Sequence, residues 1–422
     1  MLDIEYITNN PKQVEACAKN KKFPVDISKL LELNEKRKEL IQKADQLRAE
    51  RNTVSKEIPK LQGDEKQAKI DRGKAIRQEL SEIEPHLDEV KSEFDSLMIQ
   101  VPNIHLDKVP LGKSDEDNVE LRTWGSPREF DFKAKDHVEL GEVLDIIDIP
   151  RGVKISGSKQ YFLKNEGAML EWAILHFSLN SLINKGFKPF IVPVMVRKEA
   201  MTGTGYFPGG EEQAYTMEKD ELYLVGTSEV ALASYHRDET LNETELPIKM
   251  AGLSNCFRRE AGTYGKDTQG LYRIHQFQKV EQVVIGLNDP EESKKIHLEL
   301  LSNAEQVLQA LELPYRVVLV CTGDLGMGQV IKHDIECWMP SRSSYGETHS
   351  CSSLYDFQSR RLNIKYKDKS GKSHFAHTLN NTCIASPRIL IPFLEHHQQA
   401  DGSVKIPEAL WTYMNGKKVI EP

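Results

Sequence analysis

The chain has 422 residues, of which 39% are hydrophobic and 28% charged; this suits a globular protein of two or three domains and excludes a disordered or collagen-like one. Its formal charge of -8 excludes a uniformly basic nucleic-acid binder, so the distribution of charge matters more than its sum. No apolar run approaches the ~20 residues of a membrane-spanning helix, and the six cysteines are scattered with no CxxC, which favours reduced, buried thiols over a zinc knuckle or redox pair.

The N-terminal stretch MLDIEYITNNPKQVEAC carries acids early and lacks an apolar core of signal-peptide length, so a cytoplasmic protein is expected. Residues 1–103 then read as a helical arm. From Ile76 the apolar positions run Ile76, Leu80, Ile83, Leu87, Val90, Phe94, Leu97 and Val101, spaced alternately by four and three. That is a heptad seam. A less perfect seam, from Leu33 through Leu40, Ala44, Leu47 and Val54 to Leu61, carries Arg37 and Arg51 at two of its positions. The stretch IPKLQGDEKQAKIDRG separates them, with Pro59 and Gly63 as breakers, so the two helices should fold into an antiparallel hairpin. Pro85 should kink the second helix locally. Residues 36–74 hold 12 Lys and Arg against seven acids, a local charge of +5. Taken alone, this fits a solvated coiled-coil exterior better than a phosphate-binding surface.

Residues 104–422 read as one compact α+β domain. A helix is predicted over EGAMLEWAILHFSLNSLINKG, ended by Gly186, and another over EESKKIHLELLSNAEQVLQAL. Short β-type runs surround them: PFIVPVMV, ELYLVGT, IKMAGLSNCF, LYRIHQFQKVEQVVI, YRVVLVCTG, HDIECWM and RRLNIKY. Few helices separate these runs, so an antiparallel sheet flanked by helices is expected rather than repeated βαβ units. A last helix follows at PRILIPFLEHHQQA, with Pro387 in its first turn. There is neither GxxxxGK[ST] nor GxGxxG before a helix, so any nucleotide is held by another device.

The chemistry concentrates around FRREAGTYGKDTQGLYRIHQFQKVE. If its returning limb is a strand throughout, Arg273, His275, Phe277, Lys279 and Glu281 share one face. Arg258 and Glu260, two apart on the outgoing limb, would share a face as well. One such pair is ordinarily a cross-strand ion pair worth ~0.2–1 kcal/mol, but five further functional groups across from it are more than packing requires. An arginine fork suits a phosphate, and Phe277 could stack on a base or belong to the core. Three more segments fit: Thr227 and Glu229 in GTSEVALASYH, Glu347 and Ser350 in YGETHSCSS as oxygen ligands of the kind Mg²⁺ prefers, and Asn380, Asn381, Thr382 and Arg388 in HTLNNTCIASPRIL.

FRREAGTYGKDTQGLYRIHQFQKVE resembles motif 2 of the class II aminoacyl-tRNA synthetases, and TLNNTCIASPRILIPFLE resembles their motif 3. With the coiled-coil hairpin, GTSE and HQFQKVE, nearly the whole chain resembles the bacterial-type seryl-tRNA synthetases. The resemblance implies activation of L-serine by ATP to seryl-adenylate, then transfer to the 3′ end of tRNA(Ser), with tRNA(Sec) as a possible second acceptor. It implies that Arg258 holds the α-phosphate and carboxylate, Arg388 grips the γ-phosphate, and both are catalytic. ATP would also meet Arg259, Glu260, Ile274, Phe277, Glu347, Thr348, His349 and Ser350, with Mg²⁺ on Glu347 and Ser350 and no zinc. Serine would be read by Thr227, Ser228, Glu229, Glu281, Asn380 and Thr382.

The arm, through Lys56, Lys60, Lys66 and Lys69, would meet the tRNA of a homodimeric partner by shape, as suits structured RNA. A motif 1-like GFKPFIVPVMV around Pro193 accompanies that dimer. Thr382 stands where many members have serine, and Gln269 where arginine is frequent; Lys266 and Arg273 remain available for the acceptor end. Two other readings are weaker. A ligase that loads a carrier protein would lack the arm and hold zinc through cysteines, and a non-catalytic paralogue would be expected to lose Arg258, Glu281 or Arg388.

Overall fold

The computed structural model describes residues 1–262 and 270–422. It divides into two compact units, Met1–Pro102 and Asn103–Pro422.

In the first unit two short helices, α1 (Ile4–Asn9) and α2 (Pro11–Asn20), precede two long ones, α3 (Ile27–Glu57) and α4 (Gly63–Met98). Asp26 caps α3, accepting a hydrogen bond from the Lys29 amide at 2.8 Å, which satisfies an otherwise orphaned helical donor. The heptad seams meet: Ala44, Leu47 and Val54 pack against Ile76, Leu80 and Ile83. Arg37, out of place in an apolar seam, lays its guanidinium 4.0 Å from the Phe94 ring centre and bonds Asn34 at 2.9 Å. Ion pairs Arg48–Glu84 (2.8 Å), Arg72–Glu50 (2.7 Å) and Lys69–Glu57 (2.6 Å) lace the antiparallel pair. The turn is shorter than the sequence suggested. A single 3₁₀ turn, Ile58–Lys60, suffices, and α4 begins at Gly63. The polar stretch after Gly63 is helical because its charges pair along and across the hairpin, Lys74 with Asp71 and Arg72 with Glu50. The helix also continues through Pro85.

The second unit is built on an eight-stranded sheet: β1 (Val119–Trp124), β2 (Lys188–Ile191), β3 (Ile248–Phe257), β4 (Gln276–Gly286), β5 (Tyr315–Leu319), β6 (Ile331–Met339), β7 (Ser344–Tyr355) and β8 (His377–Ser386). Its spatial order is β1-β5-β6-β7-β8-β4-β3-β2, antiparallel except for the β2–β3 edge pair. Helices α5 (Asn165–Ile183) and α7 (Pro290–Ala310) cover one face; between them in sequence comes the short α6 (Glu229–Ala233). Leu170, Ile174 and Leu182 of α5 and Leu300, Ala304 and Leu308 of α7 share a core with Val280, Val284, Leu379 and Cys383 of the sheet. Asp289 caps α7 through the amides of Glu291 and Glu292, and Pro290 occupies its first turn. Because strand side chains alternate, the odd positions Lys279 and Glu281 point to the other face, where α6 and α8 (Phe357–Leu362) lie.

Several elements differ from the sequence expectation. The run PFIVPVMV is split at Pro193 into β2 and a separate strand, Met195–Arg197, of a three-stranded sheet. RRLNIKY begins inside α8 and becomes strand only at Lys365–Lys367. LYRIHQFQKVEQVVI is strand only from Gln276. Arg273 and His275 therefore precede β4 and do not alternate with Phe277 along one strand. Arg258 and Glu260 lie beyond the end of β3, and Glu260 has φ +50°. The last helix, α9 (Leu390–His397), starts after Pro387; a tight turn precedes it, with Leu390 N bonding Pro387 O and Ile391 N bonding Arg388 O. Among the described residues no helix is long and apolar enough to cross a membrane.

Candidate active site

The open face of the sheet carries a cavity whose floor is β4, β8 and β7. Register brings distant residues together: Glu281 of β4 stands opposite Thr382 of β8, and Ser352 of β7 opposite Asn380 of β8. Thr227 and Glu229, on the loop entering α6, close one end. Arg258, Glu260, Tyr272, Ile274 and Phe277 form the wall, and Glu347, Thr348, His349, Ser350 and Arg388 complete it.

At the amino end of α6 the groups are carboxylates and hydroxyls. Glu281, 1% exposed, forms an ion pair with Lys279, itself 5% exposed. The Thr227 hydroxyl donates to Glu281 Oε2 at 3.4 Å and accepts from the Glu229 amide at 3.2 Å. Glu229 Oε1 accepts from Gln358 Nε2 and Asn380 Nδ2, each at 2.8 Å. Burial first, and the neighbouring Glu281 second, push the Glu229 carboxyl up to about 7. The buried Glu281 is paired by Lys279, whereas the half-buried Glu229 has no ion-pair partner among the described residues. A primary ammonium would supply one.

At the other end the groups are guanidinium and aromatic. The Arg258 amide donates to His275 O at 2.9 Å, tying the end of β3 to the segment before β4, while the guanidinium lies 5.2 Å from the Phe277 ring centre. Arg273 bonds Glu260 Oε2 at 3.3 Å. Arg388 donates through Nε to Tyr272 O at 3.2 Å and through Nη1 to Glu347 O at 3.0 Å. The Tyr272 ring meets two guanidinium groups, Arg388 at 4.5 Å and Arg342 at 4.4 Å. Gly346 makes room for that ring, since a Cβ there would come within 3.2 Å of it.

Glu347, its side chain 47% exposed, is held below the ordinary carboxylate value: partial desolvation disfavours its charge, but Lys332, Arg388, Arg258 and Arg273 together outweigh that. The Ser350 side chain faces the same cavity. An ionised carboxylate and a hydroxyl fit a Mg²⁺ ion that takes its other ligands from phosphates and water. Among the described residues no three His, Cys, Asp or Glu side chains gather to hold a metal unaided. A cation here would depend on its substrate.

Two residues of the expected set stand elsewhere. Ser228 turns its hydroxyl to Gly252 O at 3.3 Å and is fully buried against β3, outside the cavity lining. Arg259 is exposed and does not line the cavity; its amide bonds Gln213 O at 2.9 Å. Thr348 and His349 line it, but the Thr348 hydroxyl is engaged with Ile335 O at 3.1 Å and with His349 Nδ1 at 2.7 Å. Lys266 and Gln269 lie outside the described residues.

Sequence reasoning left Lys279, Tyr272 and Gln358 without a role. Lys279 was recoverable from its position two before Glu281 on one face. Gln358 was not, because α8 reaches the site only through the tertiary fold.

Residues 1–105 match the seryl-tRNA synthetase N-terminal domain, and residues 214–397 match the class II tRNA synthetase core domain of the G, H, P, S and T group. A serine–tRNA ligase of Deinococcus radiodurans is 46% identical over 420 residues, covering 100% of this chain and 99% of the relative. One of Treponema denticola is 45% identical over 417 residues, 98% of each chain. Among solved structures, the seryl-tRNA synthetase of Pyrococcus horikoshii complexed with ATP superposes with a TM-score of 0.92 at 39% identity, covering 100% of both chains. The cytoplasmic serine–tRNA ligase of Naegleria fowleri in complex with AMP gives 0.86 at 31% identity, covering 99% of this chain and 97% of the other. With both of its units matched and relatives that align from end to end, the chain belongs to the seryl-tRNA synthetase family of the class II aminoacyl-tRNA synthetases.

Proposed function

We propose that this chain is a serine–tRNA ligase in which the single cavity on the open face of the sheet performs both half-reactions. The observation that carries this reading is the polarity of the cavity: carboxylates and hydroxyls at one end, guanidinium groups and a phenyl ring at the other. Serine lies with its ammonium between Glu281 and Glu229 and its hydroxyl toward Glu281 and Thr382. Its carboxylate then faces Arg258. ATP lies with its adenine on Phe277, its α-phosphate at Arg258 and its γ-phosphate at Arg388.

In the first step a serine carboxylate oxygen forms a bond to the α-phosphorus while the bond from that phosphorus to the bridging oxygen breaks, and pyrophosphate leaves. In the second, a ribose hydroxyl at the tRNA 3′ end attacks the acyl carbon and AMP departs. Neither step needs a covalent group from the protein. Alignment of the reactants and stabilisation of spreading negative charge by Arg258 and Arg388 carry the rate. Mg²⁺ held by Glu347 and Ser350 would supply further charge neutralisation at the phosphates.

A site that hydrogen-bonds the serine hydroxyl with buried groups rejects alanine by about 10⁴–10⁵, since those groups would go unpaired. Threonine must be excluded by shape. ATP–pyrophosphate exchange across serine, threonine, alanine and glycine tests the reading directly. Exchange should respond to serine above the others, and a response to any other amino acid equal to serine's would overturn it.

A further inference from the structure

The α7-covered face of the sheet holds a second cavity, independent of the first. Its volume is about 280 Å³, and it lies between the first half of α7, strands β6 and β7, and residues 106–108. Leu106, Leu298 and Ile331 give it an apolar wall. Polar groups interrupt that wall; Ser293 is already bonded to His377 Nδ1 at 2.8 Å, and three others, Ser353, His333 and Lys108, can offer a hydrogen bond.

Ser353 lines the cavity, is 2% exposed, and its Oγ has no hydrogen-bond partner among the described residues. A buried hydroxyl left so is costly relative to a satisfied one, and such a group calls for an occupant. His333 is the second. Its Nδ1 lies 2.7 Å from His297 Nε2, and His297 Nδ1 lies 3.8 Å from Cys351 Sγ. Burial pushes the two imidazoles down, His297 to about 3 and His333 to about 4, so both are neutral.

The Cys351 thiol has a nearer acceptor in His297 O, at 3.6 Å, so the thiol leaves both tautomers of the imidazole pair open. A carboxylate in the cavity would select the tautomer in which His297 Nε2–H donates to His333 Nδ1 and His333 carries its proton on Nε2. Lys108 is the third. Its ammonium is near enough to both imidazoles to oppose their protonation, yet it pairs with no carboxylate among the described residues. Glu291, the acid in the lining, is engaged by Lys294 at 3.7 Å.

We propose that this cavity binds a small monocarboxylate with an apolar body, its carboxylate taking hydrogen bonds from Ser353, His333 and Lys108 and its body resting on Leu106, Leu298 and Ile331. The space is nearly twice the ~150 Å³ of an engineered cavity that holds benzene, which suits a phenyl ring with a short acid chain. Cys351 and Ser353 alternate along β7 with Ser350 and Ser352. The occupant therefore lies against the reverse side of the strand that carries Glu347 and Ser350.

The test is isothermal titration of the full-length protein with 4-phenylbutyrate and with the uncharged 4-phenylbutanol, in the presence and absence of saturating L-serine. The acid should bind with one-to-one stoichiometry, unaffected by serine. The alcohol should bind at least roughly tenfold more weakly, having lost a charge-assisted hydrogen bond. Ser353→Ala and Lys108→Met should each weaken the acid by a similar factor, and Lys108 is exposed, so its replacement leaves folding aside. Absence of saturable binding, equal affinity for the alcohol, indifference to both substitutions, or displacement by serine would each overturn the proposal.

Discussion

Glu281 and Glu229 sit in one small cavity with one lysine, and their environments set them different tasks. Glu281 is enclosed and ion-paired to Lys279, and in the proposed reaction it is the fixed acceptor for serine. Glu281→Ala should lower serine-dependent pyrophosphate exchange by at least about 10²-fold while the KM for ATP moves little, because in the proposed pose Glu281 meets the amino acid and not ATP. Steady-state exchange with each substrate varied in turn checks the split. Burial and the neighbouring Glu281 push the Glu229 carboxyl up. Its folded value of about 7 lies above the ordinary value of 4.5, so the folded protein retains a proton there that the unfolded chain releases between those limits. Its burial therefore carries no penalty below about pH 4.5 and an increasing one as pH rises toward 7, constant above that. Glu229→Gln keeps an acceptor for Gln358 and Asn380 and removes the ionisation. The melting temperature of this variant should gain on that of the parent between pH 5 and pH 8 in the absence of serine. A difference that does not vary with pH would refute the assignment.

Among the elements, the helical hairpin of α3 and α4 shows how far periodicity alone reaches. The seam from Ile76 to Phe94 was legible because seven-residue spacing has one structural meaning at that length, and those residues are buried. The turn was misjudged because a charged, glycine-containing stretch looks like a loop until its ion-pair partners on the facing helix are known. The same pairing bears on tRNA. Lys56, Lys60 and Lys66 are exposed, whereas Lys69 is tied to Glu57 at 2.6 Å. Replacing all four with alanine should impair aminoacylation of tRNA(Ser) severely and flatten its salt dependence, with serine-dependent exchange retained. Stability should fall little, since an exposed pair such as Lys69–Glu57 contributes ~0–1 kcal/mol. Charging and exchange assays on one preparation decide the matter, and equal loss of both would refute this division of labour. In the sheet, strand existence was mostly readable while strand ends were not: Arg258, Glu260 and Arg273 stand just outside β3 and β4, where the alternation rule no longer applies.

For the molecule as a whole, the sheet ends at β2, an edge strand whose Ile191 is 96% exposed, and Met195 and Trp172 are more than half exposed. Bare apolar side chains and an open strand edge invite a second copy of the chain. Sedimentation should give about twice the 48.1 kDa of one chain, and Ile191→Lys should shift the population toward monomer; an unchanged parental monomer across micromolar concentrations would refute the dimer. The sequence by itself determined the family, the helical hairpin and most of the kinds of side chain that line the cavity, because motif spacing and periodicity are local properties of the chain. Only the tertiary structure decided which of those side chains share a cavity. It placed Arg388 against Tyr272 and Glu347, turned Ser228 and Arg259 away, brought in Gln358 from α8, and set Glu281 opposite Thr382. Those outcomes depend on the register between strands roughly a hundred residues apart in the chain, and register is fixed by packing across the whole sheet.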